Sequence, residues 1–437
     1  MEIDKELPNK ETRERILYDE DLHETPRKSF LDLNDDCWIV ICDWLSYQDL
    51  LNLSKVSSAY KEFVGNCLLP FKVTKWEITF SKKRECMNLE DFDYIIKSIH
   101  LTVKQLHLYS LPVTYFEALK SYCFTCVTEA HVTTDHYMKA ADNAALTSMF
   151  PNLRTFSPHG LCASATIVLF RHLENLTLTY CRNFSVKDFR RVLVALHLKS
   201  LTLDIFKPNT LRHSRLNALE SPHLSKIEHI TLNCSELDWL CFSDRNNTVS
   251  FQNLKVLVLK GHILGKKTVD KFFRNIQSLV PHNPYEIEMS NVSYDLLCKI
   301  MVPEKNTFLK SVKILKFIHV SIRLDVFGVP CRYRDLRELY FLYCYAEFSE
   351  EVLTILSNSK HLDVLSFEKC HTPYIILYED FLKETLRRRE KPLTLNWYSE
   401  QNDLEVHWGN QPQDMLKCTK EPHVASKLDD SMTILFK

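Results

Sequence analysis

Apolar positions along this chain follow two rhythms, a dense one near the N-terminus and a sparser, regular one through most of the rest. From Leu31 to Val64 the segment LDLNDDCWIVICDWLSYQDLLNLSKVSSAYKEFV sets apolar residues at helical spacing over a length suited to three short helices. Asn34, Asp35 and Asp36 offer a cap and negative charge for a first helix running through Leu45. Ser46-x-x-Asp49 is a capping-box pattern opening a second, which carries Leu50, Leu51 and Leu53. A third is predicted from about Lys55 to Val64, with Gly65 at its C-terminal cap. Between Cys37 and Leu45 only Asp43 is polar, so the first helix keeps no solvent face and must be buried on more than one side. A buried strand from Trp38 to Leu45 is the rival reading, and the caps and downstream spacing favour helix. So apolar a segment needs a partner to cover it.

The second rhythm is Leu-x-x-Leu-x-Leu, often followed by Cys. Its clearest copies are Leu173, Leu176, Leu178 with Cys181; Leu336, Leu339, Phe341 with Cys344; and Leu362, Leu365, Phe367 with Cys370. Further copies start at Leu198, Ile227 (with Cys234), Leu254 and Val312, weaker ones at Val103, Val127, Leu153, Pro284 and Glu390, and an earliest unit surrounds Val73, Trp76 and Ile78. Successive starts between residues 103 and 390 lie 20 to 30 residues apart. Helix-start signals fall between copies: Ser185-x-x-Asp188 ahead of Phe189, Leu193 and Leu196, Thr114-x-x-Glu117, Thr268, and Ser349 before Glu350 and Glu351. Each unit buries its leucines only by stacking on its neighbours, which predicts one solenoid with a continuous core.

The N-terminal pattern resembles an F-box. Leu33 stands at the opening Leu of that pattern and Asp36 at its acid. Trp38 and Ile41 take the next apolar sites, and Leu45 closes the first helix. Asp49, Leu50 and Leu51 match Asp-Leu-Leu, Val56 matches the Val, and Tyr60 stands where Trp is usual; Asn34 replaces the Pro and Ser57 the Cys. The repeats resemble leucine-rich repeats, which pair a short strand with a helix or 3₁₀ segment. These resemblances imply an α/β fold with a three-helix F-box at 29–70 and a curved solenoid at 71–399, parallel strands on its concave face and helices on its convex face. Residues 1–28 are expected to be a charged, disordered N-terminus, and 400–437 a C-terminal tail or cap.

Bulk composition narrows the function. Fifty-five basic residues balance 56 acidic ones for a net charge of -1, so electrostatics pull toward neither nucleic acid nor an anionic membrane. No apolar run reaches the ~18 residues of a membrane span, and the charged start is expected to be neither a secretory signal nor a transit peptide. Fifteen cysteines without such a signal read as free thiols in a reducing compartment, which predicts a cytoplasmic or nuclear protein. Only 6 of 437 residues are glycine, against a usual ~7%. Phosphate loops and dinucleotide fingerprints need clustered glycines, so a nucleotide-dependent enzyme is disfavoured.

Candidate chemistry is sparse. Cys181, Cys344 and Cys370 recur at one point of the repeat and read as a ladder of buried, inert thiols. Cys123-x-x-Cys126 with His131 and His136 has the donor types of a zinc site, yet Cys126 directly precedes a predicted strand, so the donors would point along different faces. No local signature of a nucleophilic triad occurs, and no catalytic residue, metal or cofactor is assigned. Arg387, Arg388 and Arg389 read as a solvated helix end. On the strand face turned from the core, early units carry small or polar residues: Gln105, His107, Thr155, Asn175, Thr177, Ser200, Thr202, His229 and Thr231. Later units carry Val256, Val258, Ile314, Ile318, Tyr340, Leu342 and Val364, predicted as an apolar binding surface unless the tail covers it.

Taken with the resemblance, this implies a non-enzymatic substrate receptor. The F-box would hold the Skp adaptor and, through it, a cullin, while the repeats hold an unknown protein substrate for ubiquitylation. The expected adaptor contacts are Leu33, Trp38, Ile41, Leu45, Leu50, Leu51 and Val56, some of which must pack inside the module instead. A leucine-rich interaction scaffold without a ligase role is the alternative.

Overall fold

The computed structural model describes residues 33–80, 87–136, 138, 140–159, 164–181, 186–204, 222–234, 251–261, 284–292, 297, 312–322, 335–346, 361–371, 375–377, 391–398, 404–406 and 416–419. The chain divides into two compact units, Met1–Lys72 and Val73–Lys437.

The first unit is helical. Asn34 caps α1 (Asp35–Trp44) by accepting from the Cys37 N–H. Ser46 and Asp49 close the predicted capping box at α2 (Tyr47–Ser54), each side chain accepting the other's backbone N–H. Two bonds from Ser46 to the Asp49 carboxylate hold that carboxyl below its ordinary range. The third segment departs from the sequence reading at both ends. It is capped by Ser57 rather than opening at Lys55, giving α3 (Ser58–Phe63). Nor does it stop at Gly65: the chain continues through one wide π-helical turn, Val64–Leu68, into α4 (Leu69–Lys72). Pro70 gives the reason. In a regular helix its ring would clash with the carbonyl four residues back. The wide turn, in which the Leu69 N–H reaches back to the Val64 carbonyl, relieves that conflict without ending the helix.

The second unit is a stack of repeats around one parallel sheet of 14 strands, laid down in chain order. Its strands are β1 (Lys75–Thr79), β2 (Gln105–Leu111), β3 (Glu129–Thr134), β4 (Thr155–His159), β5 (Asn175–Thr179), β6 (Ser200–Asp204), β7 (His229–Asn233), β8 (Val256–Lys260), β9 (Glu286–Ser290) and β10 (Ile314–Ile318). After the short β11 (Ser321–Ile322) come β12 (Glu338–Leu342), the short β13 (Tyr345–Ala346) and β14 (Val364–Glu368). The short β15 (Ile375–Leu377), β16 (Leu393–Tyr398), the short β17 (Leu404–Val406) and β18 (Leu416–Thr419) complete the order. The four short strands pair as β11 with β13 and β15 with β17. Every repeat start read from the sequence, from the unit at Val73 to the one at Glu390, delivers a strand of the main sheet. The stretch read as tail or cap adds one more, β18, parallel to β16.

Register explains the stack. Leu176 pairs with Leu201, Leu201 with Ile230, Ile230 with Leu257, and the row runs on through Ile287, Leu315, Leu339 and Leu365 to Leu395. A second row, two residues on, runs from Leu178 through Leu203, Leu232, Leu259, Met289, Phe317 and Phe341 to Phe367. A slip of one residue would turn both rows to solvent, so the leucine pattern itself fixes the register. Toward the C-terminal end the second row turns aromatic. Phe341 lies between Phe317 at 5.4 Å and Phe367 at 4.9 Å, with the rings nearly parallel. On the other side of the core, α5 (Leu89–Ile99) buries Phe92, Ile95, Ile96 and Ile99. Later come α6 (Val113–Leu119) and α7 (Ala140–Met149). The predicted helix after Ser185 is α8 (Val186–Ala195), with Phe189, Val192 and Leu193 buried. Thr114 is not the cap of α6: that helix opens after Pro112, whose fixed backbone supplies the turn without a side-chain cap. Thr268, Ser349 and the Arg387 to Arg389 run lie outside the described residues.

Several strands end in the same turn. The residue after the strand adopts a left-handed conformation at Tyr180, Gly261, Asn291, His319, Tyr343 and Lys369, and Ser110 does so within β2. Such a backbone costs a non-glycine residue about 1–2 kcal/mol, and the repeat meets that cost with a ladder bond. The N–H of Tyr343 donates to the carbonyl of Glu368 at 2.9 Å, that of His319 to Leu342 at 3.0 Å, and that of Tyr180 to Asp204 at 3.1 Å. Only at Gly261 is a side chain also sterically barred, because a Cβ there would sit 2.9 Å from Asn233 Oδ1.

Replacing Phe341 by Ala is expected to cost about 3–5 kcal/mol, since it empties the middle of a stacked aromatic row. Denaturant unfolding of the full chain checks this as a lowered midpoint at unchanged slope.

Candidate functional site

Three groups of side chains stand apart from what the fold requires. The first is the surface of the helical unit. Around α1, Trp38 and Cys42 are buried, with the Trp38 ring 4.9 Å from Phe63. Cys37, Val40 and Trp44, on the opposite side of the helix, are exposed, Val40 by 59% and Trp44 by 86%. The end of α1 is held by Lys72, whose Nζ donates to the carbonyls of Cys42 and Leu45. Two further apolar residues are open: Leu33 ahead of α1, and Val56, 67% exposed, in the turn between α2 and α3. The predicted adaptor contacts therefore divide in a way that apolar spacing could not show. Trp38, Leu50 and Leu51 are buried within the module, Ile41 and Leu45 are half-buried, and Leu33 and Val56 face solvent. Val40 and Trp44, exposed on α1, were not among the expected contacts. Their signal was present, since a helix apolar all round must show apolar residues on whichever side its own module does not cover.

Residues 30–72 match the F-box domain family. The helical unit thus carries an F-box domain match, and the unit after it is a stack of leucine-patterned repeats with one parallel strand each. The F-box is a protein-interaction module, and the parallel sheet with one strand per repeat is the architecture of the second part. A crystal structure of an internalin from Listeria monocytogenes aligns with 86% of this chain and 94% of its own, at 12% identity and a TM-score of 0.34. No curated protein sequence matches the chain.

The second group is the outward face of the repeat sheet. Val256, Val258, Ile314 and Val364 are half-buried. Ile318, Tyr340 and Leu342 are instead buried, forming a cluster with Ile314, Tyr343 and Val364 packed against it. The predicted open patch is thus closed to solvent at three of its seven positions, because these large side chains on β10, β12 and β14 fill the space between one another. Polar groups are buried beside them. Ser366 donates to Glu368 Oε1 at 2.7 Å and the Tyr340 hydroxyl to Glu338 Oε2 at 2.8 Å; burial, then that Glu338 bond, pushes the Tyr340 phenol up.

The third group lies at the opposite end of the same face. Glu77, His107 and His131 occupy one rung across β1, β2 and β3. His107 Nε2 stands 3.2 Å and His131 Nε2 3.4 Å from the same oxygen, Glu129 Oε1. The two rings are 4.3 Å apart between centroids. Burial, then the neighbouring His107, lowers the His131 pKa. His131 thus belongs to a different set from the one its sequence neighbours suggested. The Cys123 thiol donates to the Ser148 carbonyl at 3.6 Å and His136 pairs with Asp135, so Cys123, Cys126, His131 and His136 do not converge.

The repeat cysteines are held as expected of structural thiols. Each donates to the end of the preceding strand: Cys181 to the Pro158 carbonyl at 3.6 Å, Cys344 to Phe317 at 3.3 Å, Cys370 to Phe341 at 3.1 Å. Burial pushes the Cys234 and Cys370 thiols well up, and raises Cys42 against the pull of the Lys72 ammonium. Cys37, Cys67, Cys123 and Cys126 are exposed. Alkylation of the native chain at neutral pH, followed by peptide mass spectrometry, is expected to label these four at least ~10-fold faster than Cys42, Cys181, Cys234, Cys344 and Cys370, because only accessible thiolate reacts.

Proposed function

We propose that this chain is the substrate-recognition subunit of a cullin-based ubiquitin ligase. The exposed apolar side of α1 carries the reading: a Trp 86% exposed beside Val40, within a module matching the F-box family, is an unfilled protein contact. A tryptophan laid open on a helix is the kind of anchor that dominates interface energetics once a partner pocket closes over it. The partner is the Skp adaptor, with Leu33, Val40, Trp44 and Val56 as contacts and Ile41 and Leu45 at their edge. The adaptor brings the cullin, and the repeat sheet holds a protein substrate through its half-buried apolar positions Val256 and Val258 and the polar positions of the earlier strands. The chain itself is non-enzymatic. It acts by proximity, raising the effective concentration of a substrate lysine near the conjugating enzyme's thioester. Among the described residues no helix is long and apolar enough to cross a membrane. The reading places the protein in the cytoplasm or nucleus.

Pull-down of the full chain with the Skp adaptor tests this. Val40→Ala combined with Trp44→Ala is expected to weaken binding at least ~30-fold, the scale of a ~2 kcal/mol hot-spot loss, while leaving the unfolding midpoint in place because both side chains are exposed. Leu50→Ala is expected to lower stability by about 2–5 kcal/mol, acting through the module's interior. Alkylation of Cys37, on the same side of α1, should slow in the complex. Undiminished adaptor binding by the double variant sinks the assignment of this face.

A further inference from the structure

The outward face of the first three strands gathers donors that the repeat architecture does not need. His107 is buried there, 7% exposed, on the rung shared with Glu77 and His131. Its Nε2 faces Glu129 Oε1 at 3.2 Å and its Nδ1 faces Glu77 Oε2 at 3.5 Å. A neutral imidazole has one N–H and one lone pair. With a carboxylate at each ring nitrogen, a neutral ring alone would set lone pair against lone pair at one contact, whereas an imidazolium donating to both, or a metal on one nitrogen with the N–H on the other, would not. The same oxygen of Glu129 also meets His131 Nε2 at 3.4 Å, while its second oxygen accepts from Gln105 Nε2 at 3.2 Å. Two carboxylates and two imidazoles therefore gather here, and the Lys75 ammonium, itself exposed, stands 3.7 Å from Glu77.

A divalent cation on Nε2 satisfies this arrangement with the ring neutral, and the donor spacing suits one. Ligand atoms about 2.0–2.1 Å from zinc at the tetrahedral angle lie about 3.3 Å apart, and the two separations from Glu129 Oε1 fall on either side of that value. The three donor atoms all lie within 4.8 Å of one another, and among the described residues this is the one group of three or more metal-capable side chains so gathered. With a metal on Nε2, the remaining His107 Nδ1–H points to Glu77, the carboxylate–histidine arrangement that orients metal-bound imidazoles. Neighbouring strands in fixed parallel register hold the ligands, so the site is organised before the ion arrives.

We propose that His107 Nε2, Glu129 Oε1 and His131 Nε2 bind one zinc ion on this face, with water in the fourth position and Glu77 as the positioning residue behind His107. The site is independent of the F-box reading, since all of its residues belong to the second unit.

Titration of the metal-free full chain with Co²⁺ tests it. Tetrahedral Co²⁺ gives visible absorption bands, and thiolate ligands add near-ultraviolet charge transfer, so the 15 cysteines do not confuse the outcome. The expected result is one equivalent of visible bands without thiolate charge transfer, erased by added Zn²⁺. Glu129→Gln and His131→Asn are each expected to abolish the bands. Glu77→Gln, which leaves every ligand in place, is expected to keep the band shape while weakening affinity about 10–100-fold. Circular dichroism establishes that the variants are folded, and if either ligand variant is not, the Glu77→Gln affinity decides. Absent bands, bands that come with thiolate charge transfer, bands that survive the ligand variants, or affinity unmoved by Glu77→Gln overturn the proposal.

Discussion

Stacking of like on like across the parallel sheet is the constraint from which the rest of this structure follows. A single repeat offers two or three apolar side chains on one short strand and cannot hide them. Only the neighbour's identical row, one strand spacing away, removes them from water. The rows through Leu176 and Leu178 run almost the length of the sheet because every repeat obeys the same alternation. The chain can therefore change connector length between strands, by as much as ten residues, without disturbing the core.

Two secondary devices make that stacking continuous. Left-handed turns after β5, β8, β9, β10, β12 and β14 send the chain out of the sheet at the same point of those repeats, and their backbone N–H groups bond forward to the next strand. Small thiols at Cys181, Cys344 and Cys370 bond backward to the strand before. Forward and backward bonds together stitch these three turns to both neighbours. Tyr, His, Asn and Lys accept the left-handed geometry, which lets a glycine-poor chain build a repeat whose turns would suit glycine.

The features that stacking does not demand sit where this repetition is broken. At the N-terminus the helical F-box exposes on α1 the apolar residues that its own interior does not consume. On the sheet, the outward positions are free of the core's demands and can specialise. They turn acidic and imidazole-rich on β1 to β3, and large and mutually packed on β10 to β14. Specialising one face while the other stays fixed is what an alternating strand permits.

Apolar spacing, read with the family resemblance, located the F-box, and spacing located and ordered nearly all the repeat strands, the α8 helix and the burial of the repeat cysteines, because each follows from residues close in sequence. What spacing could not reach were choices made between distant segments. Whether Trp38 or Trp44 faces the module depends on where Phe63 and Lys72 come to lie. Gly65 is bypassed because Pro70 forces a wide turn. His131 meets His107 and Glu129 rather than Cys126 because register, and not proximity along the chain, decides which side chains share a rung. Tyr340 and Leu342 are buried by neighbours on other strands, a contact with no trace in their own local pattern. Sequence fixes which face each residue takes, and tertiary packing decides what stands opposite it.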